Sequence, residues 1–240
     1  MELNRPLLKQ QAKGLLRTAQ PSPLVAAAVF IALSALFSFL SSRLVGVSYE
    51  TLDRASRFVI QGNNEYAMNV LLSARPSPGA YAVNLLLELT LDVVRVGFLL
   101  FALNTVRGTG AVLGNLLDGF GQLWRVLLLQ IVSSVLIFLW SLLLVVPGII
   151  AAYRYSLAFY ILLDHPEYGV MDCLRESRRI TTGRKMELFK LDLSFLGWWL
   201  LSALPYVGFL VSVWLTPYYT ITIALYYERF SGHVVETNSI

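Results

Sequence analysis

The sequence predicts an all-α fold: a polytopic membrane helix bundle of about six transmembrane helices, with amphipathic interfacial helices at the N-terminus and near 168–182. Three observations carry this. The 240 residues are 56% hydrophobic and only 14% charged, with mean hydropathy +0.63, whereas soluble domains run about 25% charged. Several apolar stretches reach the roughly 20 residues that cross a bilayer. No long segment is left for a soluble domain, so a single integral membrane domain over 1–240 is expected.

Residues 3–18, "LNRPLLKQQAKGLLRT", place Leu7, Leu8, Gln11, Ala12, Leu15 and Leu16 on one stripe, with Lys9, Lys13 and Arg17 off it. That spacing predicts a short helix lying on the inner membrane surface. A first span follows at 23–42. Residues 43–79 form a polar connection that closes on the breaker string "RPSPG". The second span, 80–103, carries Glu88, Asp92 and Arg95, and the glycine-rich "GTGAVLG" (108–114) links it to a third at 123–146. Pro147-Gly148 then separates the third span from a fourth at 149–163.

Residues 168–182 form an amphipathic segment. Val170, Leu174 and Ser177 fall on one side, flanked by Cys173 and Ile180, while Asp172, Arg175, Glu176 and Arg179 fall opposite. The fifth and sixth spans are expected at 188–204 and 206–227, the latter interrupted by Pro217.

Orientation follows from the distribution of basic residues, which favour the cytoplasmic side. With six spans and both termini cytoplasmic, four of the 19 Lys and Arg (Arg43, Arg54, Arg57, Arg75) fall outside. Arg95 and Arg154 lie in the membrane, and the other 13 fall inside. A single long crossing over 123–163 would put the cluster from Arg175 to Lys190 outside. The charge rule therefore predicts two crossings joined by a turn at Pro147-Gly148. It also accounts for the net charge of +4 and pI of about 9.2, so no nucleic-acid partner is expected.

Ionisable residues inside a bilayer cost roughly 2.5–3.5 kcal/mol each and are functional candidates by default. At about 1.5 Å per residue, Arg154 lies roughly 10 Å below the turn at Pro147 and Glu88 roughly 12 Å past Ala80. These matching depths predict an Arg154–Glu88 pair. Asp92 and Arg95, one turn apart, can pair with each other, or Arg95 can meet Asp192. The set Glu88, Asp92, Arg95, Arg154 and Asp192 is then either a packing network or the lining of a polar path. The basic cluster Arg175, Arg178, Arg179, Arg184 and Lys185 is expected to face anionic lipid, where each cation contributes about 1 kcal/mol.

Other chemistry is thin. His165 and His233 are far apart in polar segments, and no metal-ligand spacing, P-loop or nucleotide-binding glycine motif is present. No cofactor, metal or catalytic set is expected. Cys173 is the only cysteine, read as a packed thiol in preference to a palmitoylation site. Trp198 and Trp199 are expected to pack between helices, with Gly197 allowing close approach.

From residue 94 onward the chain resembles the bacterial integral membrane family known as "domain of unknown function 975". The carrying strings are "GFLLFALNTVRG", "LWSLLLVVPGIIAAYRYSLAFYILLDHPE", "ESRRITTGRKMELFKLDLSFLGWWLLS" and "LTPYYTITIALYYE", and "LLKQQAKGLL" is similar to the family's opening helix. The family is in turn distantly similar to the membrane domain of some glycerophosphodiester phosphodiesterases. The resemblance implies a bacterial cytoplasmic-membrane protein and supplies no reaction. The reading is a non-catalytic scaffold or accessory module contacting anionic lipid; the alternative is a transporter or channel for a small solute or lipid.

Overall fold

A computed structural model describes residues 4–45, 49–204 and 207–231. Its helices are α1 Arg5–Thr18, α2 Pro23–Val45, α3 Tyr49–Ile60, α4 Asn64–Ser73, α5 Pro78–Arg107, α6 Asn115–Asp118 and α7 Leu123–Leu143. They continue as α8 Val145–Tyr155, α9 Ala158–Asp164, α10 Val170–Thr181, α11 Lys185–Leu193, α12 Leu196–Ser202 and α13 Val207–Ser231. Among the described residues there is no strand. Two compact units form, one of Ala32–Asp92 and one of the residues before and after it.

In the smaller unit, the polar connection expected at 43–79 folds largely as the helix pair α3 and α4. Phe58 and Tyr66 meet across it with ring centroids 5.9 Å apart. The Asn63 side chain caps α4 by accepting from Tyr66 N–H at 3.4 Å.

Four helical stretches are long and apolar enough to cross a membrane: Pro23–Val45, Asn115–Leu143, Val145–Asp164 and Val207–Ser231. The fifth span expected at 188–204 is instead two short helices, α11 and α12, separated at Ser194-Phe195. The count of about six is not confirmed: α5, at the second expected span, is not among these four, and the fifth is broken at Ser194-Phe195.

In the larger unit, α5 ends where Gly108 adopts φ +68°. Thr109 N–H then reaches back to the Asn104 carbonyl at 3.2 Å, closing the helix with a left-handed cap. The chain reverses from α7 into α8 at Leu144, whose backbone is extended (φ −166°, ψ 155°). The expected turn at Pro147-Gly148 is therefore displaced by three residues. Pro147 sits in the first turn of α8, where a missing N–H costs little. Gly148 acts through its missing side chain. A Cβ there would lie 2.1 Å from Ser141 Oγ, so the glycine lets α8 press back along α7.

The break between α8 and α9 is held by α10. Ser177 Oγ donates to the Arg154 carbonyl at 2.9 Å and accepts from Leu157 N–H at 3.3 Å, and Thr181 Oγ1 adds a bond to the same carbonyl at 3.4 Å. A hydroxyl thus replaces backbone bonds that the kink has opened. The expected apolar face of α10 is observed: Cys173, Leu174, Ser177 and Ile180 are buried in the core.

The stripe of helix α1 is covered in part by the protein itself: Leu8, Ala12 and Leu16 are buried and pack chiefly against α13, while Leu7 is exposed. Lys9 Nζ donates to the Ser194 carbonyl at 3.1 Å and lies 4.0 Å from the Phe195 ring centroid. Burial, then Lys13 and Arg5, push the Lys9 amine below its ordinary pKa. Gly197 has open space around it. Trp198 and Trp199 are exposed on one side while meeting Trp214 and Tyr219, with centroids 4.9 and 5.6 Å apart.

Candidate functional site

The charged residues of the larger unit gather at three places. The first is Asp192 on α11. Its Oδ2 accepts from the Tyr153 hydroxyl at 2.8 Å and its Oδ1 from the Tyr219 hydroxyl at 2.9 Å. The carboxylate expected to meet Arg95 or the basic helix has both oxygens engaged by tyrosines from α8 and α13. Arg95 itself is exposed.

The other intramembrane candidates have local partners. Glu88 Oε1 accepts from Asn84 Nδ2, one turn earlier on α5, at 2.8 Å. Asp92, on the same helix, is half-buried and engaged. The Arg154 guanidinium lies 5.7 Å from the Trp140 ring centroid, and its Nε is buried without a hydrogen-bond partner. This direction follows from helix geometry, which leans side chains toward the helix N-terminus and here toward the α7–α8 turn. Glu88 and Arg154 belong to different compact units.

The second place is absent from the expected set. Arg107, at the end of α5, binds Asp164 at the end of α9 through a two-point fork of 2.6 and 2.9 Å. Its Nε donates to Glu228 Oε1 on α13 at 2.6 Å. The Tyr227 hydroxyl completes the group by donating to Asp164 Oδ2 at 2.8 Å. Glu228 is only 4% exposed, and its Oε2 is buried with no hydrogen-bond partner. Despite the cost of burial, the bonds to Asp164 and Glu228 raise the Arg107 pKa further, so the cation is permanent.

Nearby, Arg125 at the start of α7 donates to the carbonyls of Pro166 and Tyr168. These contacts tie the ends of α5, α7, α9 and α13 together at one face. A weak sequence signal exists: Arg107, Asp164 and Glu228 each close an apolar run at the side assigned to the cytoplasm.

The third place is the basic cluster, which the structure divides. Arg175 Nη1 lies 3.2 Å from Asp172, and Arg179 forms a fork with Glu176 at 2.5 and 2.8 Å. The bond from Arg179 holds the Glu176 carboxyl below its ordinary pKa, against a smaller opposing effect of burial. Arg184 turns over the Phe230 ring at 4.2 Å from its centroid. Arg178 and Lys185 have no acidic partner within salt-bridge distance among the described residues. Burial, followed by the fields of Arg154 and Arg178, lowers the Lys185 pKa. A shallow groove along α10 is lined by Glu167, Asp172, Arg175, Glu176, Arg178 and Arg179, among others.

Among the described residues, no group of three or more His, Cys, Asp or Glu is arranged to hold a metal ion. Residues 141–233 match the family model described as protein of unknown function (DUF975). That segment runs from the last turn of α7 to just past α13 and so contains Asp164, Asp192, Glu228 and the basic helix. The match supports the family resemblance carried by the strings above. No curated protein and no solved structure matches, and the likeness to phosphodiesterase membrane domains is not shown.

Proposed function

We propose that the protein is a multi-pass module of the bacterial cytoplasmic membrane, without catalytic activity, that acts as a scaffold or accessory unit and contacts anionic lipid. In this reading the chain passes six times through hydrocarbon, with both termini cytoplasmic. The observation that carries it is the pairing of Arg107 with Asp164 and Glu228. The buried carboxylates Asp164 and Glu228 share a cation between the helices, as packing requires, while Arg178 and Lys185 present positive charge without an acid at salt-bridge distance. These two cations are the lipid-contacting pair, in distinction from Arg175 and Arg179.

Purification from nanodiscs of mixed anionic and zwitterionic lipid, with mass spectrometry of the retained lipid, tests this. Anionic lipid should be enriched around the wild type, and less so around an Arg178→Gln/Lys185→Gln variant. Arg175→Gln should change little. Equal retention of both lipid classes by the wild type would remove the lipid reading.

A second reading, transport of a small solute or lipid, is favoured by a separate observation. Arg154 Nε, Glu187 Oε2 and Tyr226 Oη are buried polar atoms without hydrogen-bond partners, as a polar path would require. Solute flux in proteoliposomes that is lost on Arg154→Gln would select it.

A further inference from the structure

Two helix-to-helix reversals in the larger unit lack the chemistry of turns in water. The α7–α8 turn is Leu142-Leu143-Leu144-Val145-Val146, with Leu144 69% and Val145 73% exposed. Around the α12–α13 turn, Leu200, Leu204 and Phe209 are exposed and Leu210 is 71% exposed. No charged residue occurs from Leu193 to Tyr227, and Arg154 is the only one from Val126 to Leu163. Connections that face water are normally built of polar residues, with glycine or proline where the turn needs them. Here exposed aliphatic side chains line the α7–α8 turn and the described residues on either side of the α12–α13 turn.

Their backbones suit an apolar medium, in which unsatisfied polar groups are costly. At the first turn Leu144 N–H reaches the Trp140 carbonyl at 3.5 Å, and Gly148 N–H reaches the Leu144 carbonyl at 3.3 Å. Pro147 contributes no N–H, so the start of α8 has one orphan donor fewer. At the second turn, Ala203 N–H reaches the Trp199 carbonyl at 3.2 Å and Gly208 N–H reaches the Leu204 carbonyl at 2.8 Å. Both turns are tightened by the same device, a glycine on the returning helix pressed against a serine on the outgoing one. A Cβ on Gly148 would lie 2.1 Å from Ser141 Oγ, and one on Gly208 would lie 2.1 Å from the Ser202 carbonyl oxygen.

Length sets how far the tips reach. The opposite ends of α7, of the α8–α9 stretch and of α13 are tied at one polar face by Arg125, Asp164 and Glu228, with Arg107. At 1.5 Å per residue, the distance from Arg125 to Leu143 is about 27 Å, and from Val207 to Glu228 about 32 Å. The hydrocarbon core is about 30 Å thick. With the polar face at the inner boundary and the tilt of about 20° usual for membrane helices, each helix reaches the far edge of the hydrocarbon with little left to project beyond it.

We propose that the α7–α8 and α12–α13 tips end within the far leaflet, covered by lipid acyl chains, and do not emerge into external water. This rests on the orientation proposed above and narrows it. Two of the reversals counted as outer loops are membrane-embedded hairpin tips, and the segment 43–79 is the outer connection that meets water.

The test uses the full chain with Cys173→Ser as background and single cysteines at Leu144→Cys and Leu204→Cys. Val145→Cys and Leu210→Cys serve as duplicates, since these exposed side chains can be changed without disturbing the core. Gln61→Cys and Met171→Cys are the outer and inner references. In intact cells a membrane-impermeant maleimide should label Gln61→Cys. Met171→Cys should label only after permeabilisation, and the tip positions only after unfolding in SDS. A bimane probe placed at a tip and reconstituted should be quenched by lipids with brominated acyl chains. External labelling at either tip overturns the inference. So does an unquenched probe, which would assign the tip to a protein partner. External labelling of Met171→Cys overturns the orientation itself, and so separates failure of that reading from failure of this one.

Discussion

Replacing Arg107 by Met should destabilise the protein more than any single change on the charged face of α10. The guanidinium makes three side-chain bonds to two carboxylates on different helices, at 2.6, 2.9 and 2.6 Å. The Asp164 and Glu228 side chains are 9% and 5% exposed, so water cannot replace the lost partner. Removing one member of a buried ion pair costs about 3–5 kcal/mol, because the opposite charge is left uncompensated. Arg175 is the natural control, since its side chain is 75% exposed and faces a half-exposed Asp172. Arg175→Met should change stability by no more than about 0.5 kcal/mol. Equilibrium unfolding in mixed micelles, titrated with SDS and followed by circular dichroism, gives both values. A double-mutant cycle with Tyr227→Phe should show coupling, because Tyr227 and Arg107 share Asp164. If Arg107→Met falls within about 1 kcal/mol of the wild type, the clasp is not a structural element and the argument for paired charges fails.

Three further outcomes follow from local geometry. Gly148→Ala should cost about 1–3 kcal/mol by overpacking the α7–α8 turn; Ser141→Gly should recover part of that loss in the same unfolding assay. Asp192→Leu strips the acceptor from two tyrosine hydroxyls and should cost about 1–3 kcal/mol, whereas Asp192→Asn, which keeps one acceptor oxygen, should cost less. Cys173 is fully buried, and burial raises its thiol pKa. A raised pKa favours the neutral thiol, so iodoacetamide labelling of the folded protein should stay slow in mildly alkaline buffer and become fast only on unfolding. Fast labelling at neutral pH in native membranes would contradict that burial.

Local patterns are legible from the residues because hydropathy and helical spacing are local properties. The buried face of α10 can be read residue by residue, since a three-four spacing leaves only one face free of charge. The stripe of α1 is equally plain, but what covers it is not. Leu8, Ala12 and Leu16 look the same in sequence whether they meet lipid or α13. The reversal between the third and fourth spans is signalled by Pro147-Gly148 yet occurs three residues earlier. Those two residues are the means of starting α8 and packing it, while the chain turns at Leu144.

What the sequence determined by itself is the class of the molecule and the faces of its helices: an apolar, helix-forming chain whose cations cluster at the segments between apolar runs. Which charges meet is settled by packing. Arg107, Asp164 and Glu228 lie far apart along the chain, each with the ordinary look of a charge at the end of an apolar segment. They become one clasp because α5, α9 and α13 end at the same face. The break between α11 and α12 is likewise invisible in composition, since "LSFLGWWLL" is as oily as an unbroken span. Charge pairing and backbone breaks depend on distances between residues remote in sequence, and those distances are set only when the helices pack.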